Sequence, residues 1–264
     1  MSIPASHRPA REWLWLLVAL AVVAALAVPF RDVLTGQEAR KDWAKWDENR
    51  LTRLFIGPEQ VLCYVCAVWA ALILQSRYRE VIRQRRAFGM GLLPTDEGAR
   101  ILPEDARPLA RKVEQLTSGR PYVLANMIRL GLGKFAISKS APDVAEVVRN
   151  QADVELSRLV TGMATVNYLA WAIPAIGFVG TVRGLGGAFG VKEENIQLFT
   201  DQAKDQLKIA FDCTLVALLL SLVVMYFIHA LQRAEETLVT DAQQYCQEHL
   251  LLRLYDPARD GTNG

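Results

Sequence analysis

The sequence shows no marked excess of charge of either sign. Its 30 Lys and Arg against 28 Asp and Glu leave a formal charge of +2. That balance removes the electrostatic case for nucleic acid, and no basic stripe interleaved with aromatics appears. Histidines are scarce: His7, His229 and His249 have no neighbouring nucleophile or ligand set. An enzyme is therefore not expected. No internal repeat, low-complexity tract, zinc spacing or clear strand alternation is present. The four cysteines do not form a disulfide framework. Cys63 and Cys66 form a C-x-x-C inside the apolar run 61–74, where they read as small apolar residues. A redox pair would need an exposed helix start that lowers a thiol pKa. Cys213 also lies in an apolar run, and Cys246 stands alone in a polar tail.

What the sequence does have is long apolar blocks. Hydrophobic residues make up 52% of the chain, and they are gathered in four stretches rather than spread with a core period. A helix needs ~20 largely apolar residues to cross a hydrocarbon layer of ~30 Å. Residues 13–30, 55–75, 159–190 and 207–232 meet that need. The expected fold is an all-α integral membrane protein with four transmembrane helices and a helical cytoplasmic domain, long helices extending from the membrane. The first block, preceded by Arg8 and Arg11 and carrying Ala25-Leu26-Ala27, also has the pattern of a secretory signal peptide. The paired second block favours a retained hairpin.

Arg77, Arg79, Arg83, Arg85 and Arg86 follow the second block closely, which favours a cytoplasmic exit. The connector 31–54 carries six basic residues of its own and weakens that preference. The expected order is a cytoplasmic tail at 1–12, periplasmic loops at 31–54 and 191–206, a helical cytoplasmic domain at 76–158, and a C-terminal segment at 233–264. That last segment reads as helical up to Asp256-Pro257 and disordered beyond. Residues 143–158 run into the third block without a breaker, which predicts one continuous helix.

The third block carries the most information. Ala170, Pro174, Gly177, Thr181, Gly184 and Ala188 recur at steps of four and three, so they share one helix face made only of small residues and proline. In the fourth block Ala210, Thr214, Ala217 and Ser221 follow the same rhythm. Such stripes let backbones approach closely in a bilayer. They serve either plain helix packing within one subunit or the lining of a central space in an oligomer. Arg183 and Asp212 each lie two residues from a stripe threonine, about 200° away at ~100° per residue. They are candidates for a mutual intramembrane pair, with Lys208 as an alternative partner for Asp212 and solvation at the membrane boundary as a third reading.

The run from Pro174 through G-x-x-G-T-V-x-G (177–184) to Phe189 resembles the signature of the MotA/TolQ/ExbB proton channel family. Residues 210–218 resemble that family's last membrane helix. The resemblance implies an ion-channel or stator subunit of a proton- or sodium-driven motor in a bacterial inner membrane, with both termini cytoplasmic. It implies a pentamer around a dimeric MotB/TolR/ExbD-like single-helix partner that supplies the ion-binding aspartate. Thr181 and Thr214 would then be pore-lining hydroxyls, flanked by Pro174, Gly177, Gly184, Ala210, Ala217 and Ser221. No cofactor is implied beyond the translocated H+ or Na+. Two features depart from the Tol and Ton pattern. Ile209 stands where that branch has a glutamate, and 218–224 lacks its later proline. A structural scaffold and a self-sufficient channel are the rival readings.

Overall fold

A computed structural model describes residues 9–27, 57–94, 100–117, 121–190 and 196–255. The described residues form seven α-helices: α1 (Pro9–Ala27), α2 (Pro58–Arg85), α3 (Ala106–Leu116), α4 (Val123–Ser138), α5 (Ala141–Gly162), α6 (Ala164–Phe189) and α7 (Ile196–His249). Short 3-10 turns follow at Arg86–Gly89 and Leu251–Arg253. Extended pairing among the described residues is limited to one isolated parallel bridge, Ile101 to Leu254. The all-helical expectation holds.

Local chemistry explains several ends. Pro58 opens α2, where a missing N–H costs nothing, and Glu59 in its first turn faces the positive end of the helix dipole. Arg83 and Arg85 occupy its last turn. Helix α4 stops at Lys139, which takes a left-handed conformation with φ 55° while its N–H bonds the Phe135 carbonyl. The start of α4 has no cap of its own. The Gln84 side chain supplies one, accepting from Val123 N–H at 2.9 Å while donating to the Pro121 carbonyl at 2.9 Å.

The chain divides into two compact units, one of them built, among the described residues, from residues within 76–163 and 230–255. Its core centres on α4, whose Leu124, Met127, Ile128, Leu132 and Phe135 recur at helical spacing. Val113 of α3, Val144 and Val148 of α5, Val239, Ala242 and Cys246 of α7, and Leu250 just beyond it close around them. Gly131 permits the approach, since a Cβ there would lie 2.9 Å from Leu250 Cδ2. Arg77 of α2 and Glu235 of α7 form a buried two-bond ion pair at 2.9 and 3.3 Å. The guanidinium fits because Gly162 has no side chain; a Cβ there would lie 2.6 Å from Arg77 Nη1. Burial pushes the Glu235 carboxyl above its usual range, and the Arg77 charge opposes that shift.

The second unit holds the described residues within 9–75 and 164–229. Here burial is confined to narrow faces, and large apolar side chains point outward. Trp171, Phe178, Val179 and Val182 of α6 are exposed, as are Phe211, Leu218, Leu222, Tyr226 and Phe227 of α7. A water-soluble fold would bury such surface, whereas a bilayer accepts it. Three helical stretches among the described residues are long and apolar enough to cross a membrane: 58–89, 141–189 and 196–253. The chain is a multi-pass membrane protein.

Several expectations change. Three long spans are found among the described residues. The first block contributes α1, whose described apolar stretch is Leu14–Ala25, while residues 28–30 of that block lie outside the described residues. The predicted continuous helix from residue 143 is interrupted at Met163, whose N–H bonds the Val160 and Thr161 carbonyls and ends α5. The connector at 191–206 is helical from Ile196, supported by i,i+3 pairs Asp201–Lys204 and Asp205–Lys208. The second block continues as helix to Arg85. Cys246 is no lone tail residue but is fully buried in the core. The segments 31–54 and 256–264 lie outside the described residues.

Burial also pushes the Cys246 thiol up to about 12. Since the thiolate is the nucleophile, maleimide at pH 8 should leave Cys246 unmodified in the native chain and label it fully after denaturation. Truncating one partner of the buried pair, as in Arg77→Ala or Glu235→Ala, should cost ~3–5 kcal/mol, whereas the apolar double variant Arg77→Met/Glu235→Leu should cost far less. Thermal unfolding in detergent checks both.

Candidate functional site

The small-residue stripes of α6 and α7 face one another. A Cβ on Gly177 would meet Ala217 Cβ, and one on Gly184 would lie 2.6 Å from Ala210 Cβ and 3.0 Å from the Gln206 carbonyl. A Cβ on Gly180 would meet the Cys213 sulfur and lie 3.3 Å from Glu59 Cγ. All three glycines are buried, as are Ala170, Ala188, Ala210 and Ala217. Each is a position where backbone meets neighbour, so the helices sit closer than side chains would allow. The alternative of plain helix packing within one subunit accounts for Gly177, Gly184, Ala210 and Ala217. Pro174, Thr181, Thr214 and Ser221 are half-buried at the edge of the same seam.

The polar members of the stripes answer specific backbone needs. Pro174 has no N–H, so the Ala170 carbonyl loses its ordinary helical donor. The Ser221 hydroxyl from α7 donates to that carbonyl at 3.2 Å. In a lipid layer an unmet carbonyl is expensive, and this one is met by the neighbouring helix. Two turns further along, the Thr181 and Thr214 hydroxyls touch at hydrogen-bond range. Thr214 also reaches the Gly177 carbonyl at 3.2 Å and the Ala210 carbonyl at 3.2 Å. Thr181 reaches the same two carbonyls at 3.3 and 3.4 Å. Four oxygens from two helices are thus gathered in one place. Two hydroxyl protons serve three kinds of acceptor, so the donors can be reassigned without leaving a group unpaired. Such a set can coordinate a hard cation or bond a carboxyl group while carrying no fixed charge.

The charge pair is arranged differently from expectation. Arg183 bonds Glu59 at 2.8 Å, not Asp212. The cause is Gly180, whose missing side chain lets the start of α2 approach α6 and brings the Glu59 carboxylate to the arginine. Lys208 pairs with Asp205 at 3.3 Å, and Asp212 is buried on α7. Glu59 was not among the sequence candidates. The available signal was that it is the sole charge of its apolar block.

These features define a helical membrane protein with oxygen-rich polar contacts set into an apolar seam. Residues 121–244 match the family model of the MotA/TolQ/ExbB proton channel family. Over these residues the chain is similar to that family, which is a channel family rather than an enzyme family. No curated protein and no solved structure matches the chain.

If the seam depends on a single missing methyl, moving that methyl across the interface should be tolerated. Gly177→Ala alone should destabilise by ~1–3 kcal/mol through overpacking. The double variant Gly177→Ala/Ala217→Gly should recover most of that loss, read as thermal unfolding of the chain in detergent.

Proposed function

We propose that the chain is the ion-channel subunit of a membrane motor driven by protons or sodium. The observation that carries this reading is the Thr181–Thr214 hydroxyl pair, which lies within the family-matching segment and gathers two carbonyls from two membrane helices. In the proposed assembly five copies surround two helices of a MotB/TolR/ExbD-like partner, and α1 adds a fourth crossing. The protein lies in a bacterial inner membrane with both termini cytoplasmic, in keeping with the arginines that follow the second apolar block.

The partner's aspartate carries the ion, and the threonine hydroxyls face it. One charge falling through the membrane potential releases ~2.3 kcal/mol per 100 mV. When the ion binds, it neutralises the carboxylate in a medium of low dielectric. The neutral and charged forms then favour different contacts, because a bare charge there costs far more than a paired or protonated one. Repeated around the ring, that preference turns one component against the other. Thr181 and Thr214 suit the task because a hydroxyl can accept from a protonated carboxyl or donate to an ionised one.

The test is purification of the chain from its native membranes with whatever binds it, followed by a subunit count. A fivefold ring holding a protein with one membrane helix and an acidic residue is expected. An assembly with no such partner overturns the reading. In the intact complex, Thr181→Val and Thr214→Val should each lower ion flux at least about tenfold, the effect of ~1.4 kcal/mol lost at one step, without changing subunit count. Full flux in both would leave a scaffold or a pathway elsewhere.

A further inference from the structure

Arg183 is the sole charged residue of α6, and Glu59 is the sole charged residue of α2 before Arg77. Two isolated charges in apolar helices have found one another at 2.8 Å. Their exposures differ: the Glu59 side chain is 13% exposed and that of Arg183 is 54% exposed. The carboxylate is therefore held in the wall between α2 and α6, beside Gly180 and Cys213, while the guanidinium reaches outward. Arg183 stands two residues from Thr181 on the same helix, a rise of ~3 Å along the axis but about 200° around it. Across a helix ~10–12 Å wide, that separation is comparable with a Debye length of ~8–10 Å. An uncompensated arginine at that distance would repel any cation approaching the hydroxyl pair.

We infer that Glu59 is the built-in counter-charge of Arg183, and that the pair sets the charge selectivity of the approach to the Thr181–Thr214 hydroxyls. Arg183 alone would make the approach anion-favouring; with Glu59 it becomes permissive to cations. Glu59 acts through Arg183 and touches no ion itself, so it is a positioning and selectivity residue. The inference rests on the ion-pathway reading above, but its electrostatic content can be measured separately.

The measurement places a cysteine at position 181 (Thr181→Cys) in the full-length chain in native membranes. Labelling rates are compared for a cationic and an anionic methanethiosulfonate of similar size, with the parent chain's own labelling subtracted. Adding Glu59→Gln should lower the cation-to-anion rate ratio by about threefold, the order expected for one unscreened charge within ~10 Å in water. Adding Arg183→Gln should raise it by about the same factor. The double variant Glu59→Gln/Arg183→Gln should return to the starting ratio. The buried Asp212 is present throughout and cancels in the comparison. A purely structural tie would change both rates together and leave the ratio fixed. An unchanged ratio, a shift of the same sign in both single variants, or no labelling by either reagent overturns the inference. Ion flux in the native complex separates the two ideas. Flux with an unmoved ratio sinks the counter-charge alone. Shifted ratios without flux support the counter-charge and sink the pathway.

Discussion

The membrane half of this protein depends on how closely α6 and α7 approach. Gly177 rests on Ala217, and Gly184 rests on Ala210 and the Gln206 carbonyl, with no room for one further carbon. In water such a seam could be held by exclusion of apolar surface. In lipid that force is absent, and close van der Waals packing with interhelical hydrogen bonds must serve instead. The seam also decides which polar groups meet. Thr181 reaches the Ala210 carbonyl, and Thr214 the Gly177 carbonyl, because the two backbones lie this near. Ser221 reaches the carbonyl that Pro174 leaves open for the same reason.

Charged groups are treated in two ways. Arg77 and Glu235 are both nearly inaccessible, joined by two bonds, and seated where Gly162 leaves space. A pair of that kind contributes little net stability compared with apolar residues, yet losing one partner strands a buried charge. It fixes which faces of α2 and α7 meet. Arg183 and Glu59 differ, since one partner remains substantially exposed. An exposed charge keeps an external field, and a field is what a passing ion senses. The first pair belongs to the architecture of its unit, while the second can act on something outside the chain.

The sequence revealed periodicity well and pairing poorly. Steps of four and three placed Ala170, Pro174, Gly177, Thr181, Gly184 and Ala188 on one face, and the corresponding face of α7 followed from Ala210 to Ser221. Both faces are buried or half-buried as that spacing requires. What the stripes face could not be read, because a small-residue face is equally suited to a neighbouring helix and to a central space. The partner of Arg183 was missed for a related reason. Sequence proximity to the motif favoured Asp212, whereas the partner, Glu59, lies 124 positions away and is admitted by the bare backbone of Gly180. Cys246 was misread because Val239, Ala242, Cys246 and Leu250 recur at helical spacing within a segment that is polar on average. The interruption at Met163 had no warning residue of the usual kind, although Gly162 immediately precedes it.

The seam suggests why hydroxyls, and not charges, occupy its polar positions. A fixed carboxylate or ammonium between α6 and α7 would carry a desolvation cost at all times. Each threonine hydroxyl instead has two carbonyls and the other hydroxyl within reach. When an ion or a carboxyl group approaches the edge, one proton can turn from one carbonyl to another and free a lone pair, and no donor is stranded. The energy of rearrangement is then a difference between two satisfied states, far smaller than the ~1–3 kcal/mol of a buried unmet group. The close approach of the backbones is therefore a condition of that exchange. Were the helices separated by one methyl group, each hydroxyl would keep only its own helix's carbonyl and would have nowhere else to turn.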